Sequence, residues 1–270
     1  MMHRGWRWWA VALIITLASV VWQRLSGPTY PVRGRVALGS AEIAYRVTRT
    51  HGGAGDQPVQ LRAANAEVHG EVAWRRFPTQ DAWQVLAMWR NGEWLEALLP
   101  HQPPAGKLEY QVRLRLGAAS AVLPARPAVT RFKGEVSDLV LVPHIAGMFL
   151  GMLFATRAGL EALAARGDAR RLGWVTLWLI ALGGFVLGPA VQKAAFGAWW
   201  TGVPFGWDLT DNKTLIAGIA WVWALWRMRG GRPGRAAVLL AAVVTLVVFA
   251  IPHSVWGSQI DWQGHPALGP

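Results

Sequence analysis

The chain has 270 residues, 53% hydrophobic and only 16% charged, a low charged fraction for a soluble protein. Its net charge is +12, but much of the arginine sits beside apolar runs and forms no stripe or aromatic-basic platform, which argues against nucleic acid as a partner. The absence of cysteine excludes disulfides, thiolate metal sites, thiol catalysis and covalent c-type haem attachment to this chain.

Arg4 and Arg7 precede an apolar run over residues 8–22. No small-x-small cleavage site follows it, so the run reads as an uncleaved signal anchor with a cytoplasmic N-terminus. Residues 28–135 change character. Segments such as Glu42-Ile43-Ala44-Tyr45-Arg46-Val47 and Leu108-Glu109-Tyr110-Gln111-Val112-Arg113-Leu114 alternate with the period of a half-buried strand. Gly52-Gly53, Asn91-Gly92 and Pro103-Pro104-Ala105-Gly106 are turn signals, and Asn91-Gly92 before Trp94 reads as a hairpin. About seven short strands in this stretch fit an antiparallel β-sandwich.

Four further apolar runs follow, over residues 139–156, 172–190, 214–226 and 236–251. The segments after the second and fourth of the five runs are arginine-rich. Starting with the N-terminus inside, five crossings put both basic segments in the cytoplasm. They put the β-rich segment, a loop over 191–213 and a tail over 256–270 outside. The expected architecture is therefore a mixed membrane protein. A five-helix transmembrane bundle (anchor 1–27; membrane domain 136–255) carries a periplasmic antiparallel β-sandwich inserted between helices 1 and 2. The expected location is a bacterial inner membrane, with the lipid bilayer as first partner and a periplasmic protein docked on the sandwich as a possible second.

Two Pro-His pairs, Pro143-His144 and Pro252-His253, fall at the outer ends of the second and fifth runs. Ionisable residues at membrane depth are costly and usually functional. Two imidazoles at one depth suggest a shared ligand, and a bis-imidazole haem b site would use His144 and His253 as iron ligands. Trp199, Trp200, Phe205 and Trp207 in the outer loop would supply apolar walls, and Asp208 would orient an imidazole. The plainer reading of the loop's end is helix capping, with Thr210 or Asp211 as the cap and Asn212 and Lys213 in the first turn. His51, His69 and His101 read as surface residues of the β segment, and His265 lies in a polar tail.

The stretch Trp199-Trp200…Phe205-Gly206-Trp207-Asp208…Thr214-Leu215 resembles the tryptophan-rich WWD loop of haem-handling cytochrome c assembly proteins. The resemblance implies a loop on the outer membrane face, between haem-ligating histidines, that presents haem for attachment. Trp207, Asp208 and Thr214 match the motif. His144 and His253 match the flanking histidines by topology only. Leu209 stands where the family has proline, Asp211-Asn212-Lys213 replaces a Lys-Glu pair, and the WGxxW spacing is absent. Residues 98–112 resemble the late strands of fibronectin-type or immunoglobulin-like sandwiches, which implies fold alone. Two other functions remain open: a non-catalytic membrane subunit, and an ion or proton path through Asp208 and Asp211. Gly-x-Ser-x-Gly, His-Glu-x-x-His and P-loop motifs are absent.

Overall fold

The computed structural model describes residues 5–165, 167–232, 234–253, 255, 257, 259, 260 and 262. They form two units. One takes its described residues from Met1–Pro28, Val136–Ala194 and Ala198–Ser258, the other from Thr29–Glu135, Ala195–Gly197 and Gln259–Pro270. His265 lies outside the described residues.

The second unit is built of short strands. β1 (Val32–Leu38) and β2 (Ala41–Val47) form a hairpin that turns at Gly39, where φ is +60°. β3 (Thr50–Gly52), β4 (Gln57–Arg62), β5 (His69–Arg76), β6 (Gln84–Ala87), β7 (Trp89–Asn91), β8 (Trp94–Leu99), β9 (Lys107–Leu116) and β10 (Ala119–Lys133) follow. They pair as a five-stranded sheet, β3-β10-β9-β5-β6, and a three-stranded sheet, β4-β8-β7, beside the two-stranded hairpin. Sequence reading expects about seven strands, all antiparallel. The described residues form ten, and β3 pairs with β10 in parallel. The extra strands β3 and β7 are three residues long and β6 is four, too short to show a period. β10 breaks register between Leu123 and Ala128, the stretch that holds Pro124 and Pro127, which cannot donate to a ladder.

Alternation buries one face of each long strand. β4 turns Gln57, Val59 and Leu61 inward, and β9 turns Leu108, Tyr110, Val112 and Leu114 inward. Three polar side chains, Gln57, Tyr110 and Thr130, enter this core through linked hydrogen bonds. Gln57 Nε2 donates to Thr48 Oγ1 at 2.9 Å, while Thr130 Oγ1 donates to Gln57 Oε1 at 2.6 Å. Tyr110 Oη donates to the Thr48 carbonyl at 2.6 Å. Burial disfavours the phenolate and pushes the Tyr110 pKa up to about 12, against the opposing pull of its hydrogen bonds to Thr48 and Gln57.

The first unit is helical: α1 (Gly5–Ser26), α2 (Asp138–Ala164), α3 (Ala169–Ile180), α4 (Gly188–Phe196), α5 (Leu209–Arg227) and α6 (Arg235–Ala250). α3 runs into α4 through one π-helical stretch, Ala181–Leu187. Among the described residues, three helical stretches are long and apolar enough to cross a membrane: α1, α2 and Ala169–Phe196. α6 is apolar but has 16 residues, and α5 begins with a polar turn.

Small residues set the helix contacts, as expected where lipid removes the hydrophobic drive between helices. A Cβ on Gly147 of α2 would lie 3.1 Å from Gly183 Cα, and one on Gly159 would lie 2.7 Å from Ala242 Cβ of α6. The π stretch has a local cause. Pro189 has no N–H, so the α-helical ladder fails there, and the Gly188 N–H bonds to the Gly183 carbonyl in an i→i+5 link. Between α5 and α6, buried Trp221 Nε1 donates to Thr245 Oγ1 at 2.9 Å. α1 joins through Gln23 Nε2, which donates to the Phe249 carbonyl at 2.7 Å.

The second apolar run extends past its expected end. Arg157, expected in a basic loop, lies inside α2 and is 5% exposed. It pairs with Glu161 one turn on, and its guanidinium lies 5.4 Å from the Trp9 ring of α1. Helical spacing, a carboxylate and an aromatic face keep this cation in the bundle.

Two outcomes test this packing. Gly183→Val places atoms against the Gly147 backbone, so the helical unit should lose about 1–3 kcal/mol, seen as an earlier thermal transition in detergent. An unchanged transition contradicts the close approach. For the β unit, Tyr110→Phe should cost about 1 kcal/mol below pH 10 through its lost hydrogen bond. A phenol whose folded pKa is raised stabilises the fold fully below the unfolded value near 10 and loses that contribution as pH rises toward about 12. The gap between wild type and Tyr110→Phe should therefore narrow over that window, and a constant gap would count against the buried phenol.

Candidate functional site

The loop before α5 is folded by the first turn of that helix. Asp208 is the N-cap, and its Oδ1 accepts from the Thr210 N–H at 2.8 Å. The cap is thus neither Thr210 nor Asp211. Asp211 reaches back into the loop instead. Its Oδ2 accepts from the Thr201 N–H at 2.6 Å and from the Gly202 N–H at 3.1 Å. Asn212 Oδ1 accepts from the Val203 N–H at 2.8 Å. From α4, Gln192 Nε2 donates to Thr201 Oγ1 at 2.6 Å. Two glycines permit this folding. A Cβ on Gly202 would lie 2.7 Å from Asp211 Cβ, and one on Gly206 would lie 2.5 Å from the Thr201 carbonyl oxygen. Residues 201–212 are therefore a built structure, held by carboxylate and amide side chains that look like ordinary capping groups in the sequence.

The four loop aromatics divide. Trp200 packs inward, stacked on Phe185 of the π stretch with ring centroids 6.0 Å apart, and its Nε1 donates to the Val203 carbonyl at 3.1 Å. It supports the loop. Trp199, Phe205 and Trp207 are 60%, 82% and 86% exposed, so the loop presents three large apolar side chains to its surroundings. Thr214 is buried, and its hydroxyl donates to the Thr210 carbonyl at 3.3 Å.

The histidines come from two other elements. His144 follows Pro143 inside α2 and is half-buried. Its Nδ1 lies 2.8 Å from the Gly183 carbonyl oxygen. A carbonyl only accepts, so Nδ1 carries the proton and Nε2 keeps its lone pair. This is the arrangement found where a histidine ligates a metal through one nitrogen and is steered through the other. The π stretch and the Gly147–Gly183 approach place that carbonyl, and sequence reading missed its role. The visible signal was Gly183-Gly184 five residues ahead of Gly188-Pro189.

His253 lies three residues beyond the end of α6. It keeps exposed surface, yet protein crowds it enough that desolvation leads the causes lowering its pKa. The charge on Lys213 comes next, with Asp208 opposing it. The exposed surface moderates the first cause. Lys213 pushes the same way, so the neutral ring is favoured.

Lys213 was read as a first-turn residue and is more than that. It is 1% exposed, and its Nζ donates to the carbonyl of Ile251, the C-cap of α6, at 2.7 Å. It ties the start of α5 to the end of α6, two residues before His253.

The donor set limits the possible metals. Among the described residues, no three His, Asp or Glu gather as a set for a bare ion. Two imidazoles suffice for haem, whose macrocycle supplies the other four donors.

Asp211→Ala should leave the Thr201 and Gly202 amides unpaired and loosen the loop. We expect amide exchange at residues 201–203 to accelerate at least tenfold, with α2 and α6 unaffected. Unchanged protection at those amides would contradict the role assigned to Asp211. No family model, curated protein or solved structure matches the chain.

Proposed function

We propose that this is an integral protein of a bacterial inner membrane that binds haem b near its outer face. It would serve haem handling for cytochrome assembly or membrane electron transfer. The observation that carries this reading is the His144 ring, whose Nδ1 lies 2.8 Å from the Gly183 carbonyl oxygen, which leaves Nε2 as the ligating nitrogen. The five-crossing arrangement, with α5 and α6 as the last two spans, belongs to the same proposal. It rests on the arginine-rich segments around residues 166–171 and 227–235 as cytoplasmic markers. It puts the Pro-His pairs and the loop of residues 198–208 on the opposite side of the membrane.

Each residue then has a task. His144 and His253 ligate through neutral imidazoles. Gly183 orients His144, and Lys213 sets where His253 begins. Exposed Trp199, Phe205 and Trp207 give an apolar surface that excludes water from a flat macrocycle. Bound haem supplies a one-electron centre, and the protein supplies ligation and position. A second reading, a subunit that docks an outer-face protein, draws on an open cleft in the β unit.

The test is an absorption spectrum of the chain purified from haem-replete cells, with His144→Ala and His253→Ala. Wild type should show a Soret band with sharp reduced α and β bands, and each variant should lose at least half of its haem. A flat Soret region in fully folded wild type would sink the proposal.

A further inference from the structure

β4 is the last strand of its sheet and pairs only with β8. Beyond its end, the Ala63 N–H donates to the Glu93 carbonyl at 2.8 Å, which fixes the phase of the ladder. Hydrogen-bonded pairs alternate in antiparallel sheets, so Leu61 and Val59 bond to β8. Pro58, Gln60 and Arg62 then point their backbone groups away from it. Pro58, which has no N–H, fits an outward position. β2 likewise pairs only with β1. Leu38 opposite Ala41 closes a two-residue turn, so this is a bonded pair, and Glu42, Ala44 and Arg46 point their backbone groups to the free side.

These two unpaired edges flank a cleft of about 580 Å³, lined by residues 44–48 and 58–62. Its floor includes the core residues Tyr110, Val112 and Leu123. The Gln57–Thr48 bond holds one end of the two strands together. The rim is basic. Arg33 and Arg46 stand directly opposite each other in the β1–β2 register, both exposed, an unfavourable like-charge pair. Among the described residues neither makes an ion pair. Arg62 lines the other wall and is shared with Glu93 at 2.8 Å.

We propose that this cleft accepts an extended segment of a partner protein as an added strand between β2 and β4. Its acidic side chains would face Arg46 and Arg62, and its apolar side chains would enter the cleft beside half-buried Tyr45. The added strand joins the hairpin to the three-stranded sheet as one six-stranded layer, β1-β2-added strand-β4-β8-β7. Backbone bonds from the Gln60 and Arg62 N–H groups supply affinity, and alternating side chains supply selectivity. The Gln57–Thr48 bond closes one end of the cleft, so the paired part of the inserted segment is about three to four residues long, opposite Gln60 and Arg62.

The test uses the full chain in detergent and a fluorescein-labelled Asp-Val-Glu-Val-Asp-Val peptide, followed by anisotropy. Binding should saturate. It should weaken at least tenfold with Gln60→Pro, which removes one outward N–H as Pro58 already does, and with Arg46→Glu. The same peptide N-methylated at alternate amides should bind at least tenfold more weakly, as should a Lys-Val-Lys-Val-Lys-Val peptide. Circular dichroism checks that both variants fold; if Gln60→Pro does not, Arg46→Glu and the methylated peptide decide. Equal binding of the methylated or basic peptide overturns the proposal. So does absence of saturation, displacement by anionic lipid vesicles, or a peptide-free dimer that closes the cleft.

Discussion

The approach of Gly147 to Gly183 is the contact on which the helical unit's chemistry depends. With no Cβ on either residue, α2 comes close enough for His144 to reach the Gly183 carbonyl. The same carbonyl accepts the i→i+5 bond from Gly188, because Pro189 breaks the ordinary ladder. Two glycines and a proline thus do together what none does alone. They bring a backbone acceptor to an imidazole and fix which nitrogen is free. Polar groups in a helix bundle are costly unless satisfied, and here the satisfied nitrogen sets the chemistry of the other.

His253 is positioned by a different device. Lys213 is fully buried and bonds the carbonyl that ends α6, so the start of α5 fixes where residue 253 emerges. The helix that carries Lys213 also folds the aromatic loop through Asp208, Asp211 and Asn212. One helical turn therefore organises the loop, the end of α6 and the charge beside His253. That economy explains why the turn contains four polar residues in an otherwise apolar region.

Much of this was legible in the sequence. The Asn91-Gly92 hairpin is present, with Gly92 at φ +58° and Asn91 opposite Trp94. Alternation located β2 and β9, and hydropathy located the helices. What could not be read depends on distant partners. Asp208, Asp211 and Asn212 all look like capping residues; only the fold of residues 201–203 shows that one caps and two brace the loop. Arg157 looked like a topology marker because Trp9, which covers it, is far away in sequence. The parallel β3–β10 pair joins segments some eighty residues apart, and no local pattern announces it. The Gly183 carbonyl is a backbone atom, which a reading of side-chain chemistry passes over.

The β unit and the helical unit offer separate features, a cleft with a basic rim and an imidazole oriented by a backbone carbonyl. The central claim concerns the second. It is tested most directly by electron paramagnetic resonance of the ferric, haem-loaded chain. Two neutral imidazoles on one iron predict a low-spin ferric signal that disappears in His144→Ala and in His253→Ala. A high-spin signal in wild type, or a low-spin signal that survives either substitution, would contradict the account.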